Sequence, residues 1–250
     1  MRVLLILIFA LLASACEPTN IVTRNEGELV LMSYNVRNGK GMDNKRNLNR
    51  TAAVIRAAQP DVVALQEIDS VTRRSEGNDV AAVLGRKCSM YHTFSKAIDY
   101  DGGGYGVALL SREKPVAVQR FALPGREEAR TLLYVEFEQY AVVSTHLSLT
   151  AEDRMASLAV IDSVATMCTK PIYIAGDWNA TPESAFGRAL GEKMQYLTDT
   201  KACTFPADSP DRVIDYIVAP HYQTVEVLRR EVVNEPMASD HRPIIAVVKR

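Results

Sequence analysis

Eight short runs rich in Val, Ile, Leu and Tyr recur along this chain, and several are apolar on both faces, a pattern that severely limits how they can pack. The runs are LVLMSYNV from Leu29, DVVALQEI from Asp61, YGVALLS from Tyr105, TLLYVEF from Thr131, YAVVSTHL from Tyr140, PIYIAGDW from Pro171, RVIDYIV from Arg212 and PIIAVV from Pro243. Each has the length and composition of a strand. A strand apolar on both faces needs cover on both, so IYIA and VALL call for sheets stacked on one another or roofed by helices. Helical patterns lie between the runs, at Leu48 to Ala58, Val80 to Leu84 and Arg154 to Met167. The expected core is sheet on sheet with amphipathic helices outside.

The chain has 250 residues, 47% of them hydrophobic, enough for one large domain. No internal repeat or Pro/Gly-rich linker interrupts it after Glu28, so residues 28–250 are expected to form a single domain. The start differs. Met1-Arg2, an apolar block from Val3 to Leu12 and the small residues Ala13, Ser14 and Ala15 have the layout of a secretory signal over residues 1–15. That run is too short for a membrane span, which takes about 20 apolar residues. LASAC resembles a bacterial lipobox, which implies acylation of Cys16, a polar tether over residues 16–27 and a lipid anchor at a bacterial envelope membrane. Loss of residues 1–15 removes one basic residue, Arg2, from a chain of formal charge −1, so the domain is near neutral and carries no global field for nucleic acid. Cys88, Cys168 and Cys203 then remain; they lack zinc-site spacing and read as buried thiols, with one disulfide as the alternative.

Polar residues stand where runs end: Asn35 after LMSY, Gln66-Glu67 after VVAL, His146 after VVST, Asp177 and Asn179 around the end of YIAG. Strand ends that open on one rim are where sites are built. Later come Asp215 inside VIDYIV and the run Ser239-Asp240-His241. Asp215 is the most telling, because a carboxylate in an apolar strand is costly unless paired, and a carboxylate beside an imidazole fixes the ring and favours its protonated form. The inventory is carboxylates, amides and two imidazoles. Such oxygen donors suit a hard cation such as Mg²⁺, with Mn²⁺ as a substitute, alongside substrate phosphate, and phosphoester hydrolysis needs charge neutralisation, an oriented water and an acid or base near neutral pH.

SYNVRNG, ALQEID, GYGVALLSR, STHLS, GDWN, RVIDYIV and SDHRP follow one another in the order found in the endonuclease/exonuclease/phosphatase superfamily, which the chain resembles over about residues 29–248. The resemblance implies an α+β fold, a four-layer αββα sandwich, and a metal-dependent phosphoric ester hydrolase. It makes Glu67 the principal metal ligand, with Asn35 and Asp240 beside it. Asp177 and Asn179 would orient the attacking water and a phosphate oxygen. His241, oriented by Asp215, would contact the scissile phosphate, and His146 would help the leaving group. Val107 stands where many relatives carry Asn, which puts substrate detail in question. His92 and His221 match no motif, Tyr91 and Tyr105 read as packing or substrate-wall residues, and Arg37, Asn38 and Lys40 form a loop able to touch an anion. The expected substrate is a small or lipid-linked phosphoester, handled by a monomer. The rival readings are an exported nuclease and a catalytically inert binding protein; the second is disfavoured because every expected position is filled.

Overall fold

The structure is a computed structural model and describes residues 27–250; the expected signal sequence, Cys16 and all of the expected tether except Gly27 lie outside the described residues. Two six-stranded mixed sheets are stacked, each with helices on its outer face. The first sheet has the order β11-β12-β1-β2-β4-β3 and the second β5-β6-β7-β8-β10-β9. In chain order these are β1 (Glu28–Asn35), β2 (Val62–Ser70), β3 (Tyr91–Tyr100), β4 (Gly103–Ser111), β5 (Ala117–Leu123) and β6 (Arg130–Glu136), then β7 (Ala141–His146), β8 (Ile172–Asp177), β9 (Met194–Tyr196), β10 (Asp215–Pro220), β11 (Val227–Val232) and β12 (Ile244–Lys249). The helices are α1 (Leu48–Ala58), α2 (Val80–Cys88), α3 (Ala151–Met167) and α4 (Ala185–Lys193).

The doubly apolar strands explain the layering. Leu31, Ala64 and Leu109 of the first sheet share one buried cluster with Val135, Val142 and Ile217 of the second. The opposite faces of those strands pack against helices: Met32, Val63 and Leu65 with Ile55 of α1 and Leu84 of α2, and Val143, Ile174 and Val218 with Ile161 of α3 and Leu190 of α4. This is the four-layer αββα arrangement. The eight runs read from the sequence are the eight inner strands, and the four it did not yield, β3, β5, β9 and β11, are the sheet edges. Helix α4 was not read either, and α2 and α3 extend beyond their expected bounds.

Each sheet has a parallel pair at its centre, β1 with β2 and β7 with β8, joined through α1 and α3. The β1–β2 ladder ends with Asn35 beside Gln66, beyond which β2 runs on to Ser70, and the β7–β8 ladder ends with His146 beside Asp177. Strand β10 enters antiparallel to β8, which brings Asp215 opposite Asp177. One rim of the sandwich therefore collects the polar strand ends. Cys88, Cys168 and Cys203 are free thiols, with Cys88 buried and the other two half-buried. Among the described residues no helix is long and apolar enough to cross a membrane.

Candidate active site

Gln66 and Glu67, expected at a strand end, lie in the middle of β2, where the two oppose one residue on β4, since Leu65 pairs with Ala108 and Ile68 with Gly106. Such a bulge re-aims a side chain. Glu67 takes φ +57° to make it, a left-handed conformation that is costly outside glycine and persists where the surroundings impose it. Val107, at the position where an amide was expected, is the residue facing this bulge, and it is buried in the core between the sheets. On β8, Gly176 precedes Asp177, and a Cβ at Gly176 would run into the Thr145 carbonyl of β7. Glycine there lets the two strands that carry His146 and Asp177 approach closely.

Asn35 joins the two sheets. Its Nδ2 donates to Glu67 Oε1 at 3.1 Å and to Asp177 Oδ2 at 3.0 Å, while its Oδ1 accepts the Arg37 N–H at 3.1 Å. Asn35 thus bridges two carboxylates, one from each sheet, with its amide nitrogen. Asp177 Oδ2 is the centre of the site, with His146 Nε2 at 3.4 Å and His241 Nε2 at 3.6 Å. Its other oxygen accepts the Asn179 backbone N–H at 3.0 Å, and the Asn179 amide donates to the Leu147 carbonyl at 2.9 Å. The C-terminal loop is fastened by Ser239, whose Oγ donates to the Asn35 carbonyl at 2.7 Å. Asp240 lies 3.3 Å from Arg37 Nε.

The two imidazoles are tuned in opposite directions. His241 Nδ1 lies 3.0 Å from Asp215 Oδ2, which also accepts from Thr204 Oγ at 2.6 Å. Burial opposes charge on His241, but Asp215 and Asp177, with the Asp215 hydrogen bond and Asp240, outweigh it and raise its pKa to about 10. For His146 burial dominates; Arg130 and His241 add to it against Asp177, and the pKa falls to about 4. One ring is imidazolium and the other neutral across the physiological range.

Among the described residues, Asp177, Asp215 and His241 offer donor atoms within 4.8 Å of one another, close enough to hold an ion. The hydrogen bond of His241 to Asp215 and its placement over Asp177 already put an imidazolium charge between those two carboxylates. The under-compensated charge is at Glu67, whose pKa is raised by burial and further by Asp240 and Asp177, against the Asn35 hydrogen bond and His241. A carboxylate in that condition, an oxygen donor, fits a hard divalent cation.

Six of the eight expected site residues, Glu67, His146, Asp177, Asn179, Asp240 and His241, line one cavity of about 590 Å³. Asn35 and Asp215 are bonded to members of that set. The sequence did not single out Thr204, Phe205, whose ring sits 4.7 Å from that of His241, or the cavity residues Glu128 and Arg130. Only Asp215's need for partners hinted at the first. Tyr105 is in the cavity wall, whereas Tyr91 is half exposed on an edge strand. Asn38 is tied to Arg46, and the His221 ring to the Gly191 carbonyl.

Residues 32–241 match the model of the Endonuclease/Exonuclease/phosphatase family. No curated protein matches the chain. Among solved structures it resembles an endonuclease/exonuclease/phosphatase family protein from Leptotrichia buccalis C-1013-b, with TM-score 0.73 and 19% identity over 89% of this chain and 100% of the other. A mannosyl-6-phosphatase of Bacteroides thetaiotaomicron VPI-5482 gives TM-score 0.72 and 16% identity over 89% and 100%. The human Nocturnin catalytic domain, in a structure with bound sulfate anion, gives 0.66 and 16% over 89% and 94%. At these identities the likeness is one of fold.

Proposed function

The chain belongs to the endonuclease/exonuclease/phosphatase family, and from that premise we propose that it is a Mg²⁺-dependent phosphoester hydrolase, exported and lipid-anchored through Cys16, with its catalytic domain in residues 28–250. The observation that carries the reading is the convergence on one cavity of half-buried Glu67, buried Asp177, a charged His241 and a neutral His146. Glu67 and Asp240 would hold the cation, with Asn35 beside them. Bound there, Mg²⁺ or Mn²⁺ would neutralise the non-bridging oxygens of the phosphate.

The chain's own groups supply the rest. Asp177, held by Asn35 and the Asn179 N–H, orients the attacking water and accepts its proton, while the Asn179 amide steadies a phosphate oxygen. His241 keeps one N–H on Asp215 and presents the other to the scissile phosphate as a fixed positive charge. His146 is neutral, so it serves the leaving oxygen as a hydrogen-bond donor from Nε2. Water attacks in line, and the bond to the leaving oxygen breaks on the opposite side.

The cavity has the volume of a small-molecule site, and the near-neutral charge of the chain favours a compact ester over a long nucleic-acid strand. The test is hydrolysis of p-nitrophenyl phosphate, bis-p-nitrophenyl phosphate, phospholipid vesicles and plasmid DNA, with Mg²⁺ or with EDTA, by wild type and His241→Ala. Mg²⁺-dependent turnover of the small esters, lowered about 10²–10⁴-fold in the variant, is expected; preferential cleavage of DNA would replace this reading with the nuclease.

A further inference from the structure

Arg130 opens β6 and is only 7% exposed, yet it lines the cavity. Its guanidinium reaches Glu127 Oε1 at 3.4 Å and Glu128 Oε1 at 3.3 Å, both long for charge-assisted hydrogen bonds. Its Nε is buried with no hydrogen-bond partner. A buried N–H left in that state calls for an acceptor. Beside it lies a recess of about 10 Å³ lined by Arg130, Glu128, Tyr105 and His146 together with the apolar Ala97 and Val107, room for about one water-sized oxygen.

The wall that carries this arginine is prebuilt. Glu127 accepts from Ser148 Oγ, the Leu149 N–H and Thr150 Oγ, which lashes the loop before β6 to the loop after β7. Asp153 adds a second lash by accepting the Arg126 N–H at 2.8 Å. A donor fixed by such a frame selects by fit instead of adapting to its ligand.

The chemistry around the recess is mixed. Arg130 offers only donors, the Glu128 carboxylate only acceptors, and the Tyr105 hydroxyl both. A second phosphate would meet the two glutamates that flank the arginine, and a hydrocarbon chain would leave Nε unpaired. An alcohol O–H, which donates and accepts at one atom, satisfies both sides. We propose that Arg130, Glu128 and Tyr105 form a subsite beside His146 that reads hydroxyl groups of the leaving alcohol, so that the substrate is the phosphoester of a polyhydroxylated alcohol of the sugar or polyol class. This rests on the phosphoesterase reading above and on the placement of His146 at the leaving group.

The experiment uses the purified full chain with Mg²⁺ and measures kcat/KM for a hexose 6-phosphate and for hexyl phosphate, which lacks the hydroxyls, each as monoester and as methyl diester. p-Nitrophenyl phosphate and its bis ester are the reference. A preference of at least about tenfold for the hydroxylated ester is expected, because a site built to hydrogen-bond a hydroxyl discriminates strongly against its absence. Arg130→Met and Glu128→Gln should each erase most of that preference while lowering turnover of the nitrophenyl reference much less. Glu128 is partly exposed, so its variant keeps the test sound if the arginine variant folds poorly. Nitrophenyl turnover with no preference between the two esters, or a preference that survives both substitutions, overturns this inference alone. No Mg²⁺-dependent turnover of any ester overturns the phosphoesterase reading and this inference with it.

Discussion

His146 and His241 share one cavity and face the same oxygen of Asp177, and they differ in the partner behind the ring. His241 has Asp215 there; for His146 burial and the neighbouring Arg130 govern. The sign of each follows from linkage. The pKa of His241 is raised, so its pairing stabilises the fold fully below about 6.5, the unfolded value, and is lost as pH rises through about 10. That of His146 is depressed, so its contribution is present above about 6.5 and is lost as pH falls towards about 4. In a nitrogen-detected NMR titration of the metal-free protein, His241 should be imidazolium at pH 8 and His146 neutral at pH 6; the reverse order would remove the assigned roles. Asp215 was legible in the sequence because a carboxylate in an apolar strand advertises a partner. Arg130 was not, because an arginine at the head of a strand looks like any surface cation, and only the tertiary fold buries it.

Elements were legible according to where they sit in the sheets. The inner strands are covered on both faces and so are apolar at nearly every position, as in VVAL and IYIA. The edge strands β3, β5 and β11 mix exposed and half-buried residues, and β9 has three residues. Such strands carry no strong periodic signal, and polar edges also discourage pairing with other chains. Helix α4 holds two glycines in nine residues, which lowers its helical propensity. The β2 bulge was hidden as well, since backbone strain at Glu67 leaves no mark in composition. Packing, in turn, fixes the segment that carries Asp177 and Asn179. Trp178, between Asp177 and Asn179, is fully buried, stacks on Tyr216 with centroids 5.1 Å apart, and donates Nε1–H to the Tyr216 carbonyl at 2.8 Å. Trp178→Ala should cost about 3–5 kcal/mol in urea unfolding, and activity per folded molecule should fall with it. A loss below about 1 kcal/mol would mean that the segment is held by other contacts.

At the scale of the molecule, the site exists only at the seam between the sheets. Asn35 and Glu67 come from the first, His146, Asp177 and Asp215 from the second, and Asp240-His241 from the loop that leads into β12. The last strand lies between β11 and β1, with five of its six residues buried. Deleting residues 244–250 should therefore abolish the cooperative thermal transition seen by circular dichroism; a native-like melt would show that the first sheet closes without β12. The sequence made the layered architecture and the cast of polar residues readable, because both follow from pattern. It did not show that Asn35 clasps carboxylates from both sheets, since that contact spans 142 positions. Phosphoester hydrolysis is proposed to depend on a cation held at Glu67, and the measurement that bears on this is the Mg²⁺ concentration dependence of bis-p-nitrophenyl and p-nitrophenyl phosphate hydrolysis by wild type and Glu67→Gln. Saturable Mg²⁺ activation is expected in the wild type, with at least about a tenfold loss of metal affinity or activity in the variant; identical Mg²⁺ curves and rates would rule out Glu67 as the ligand.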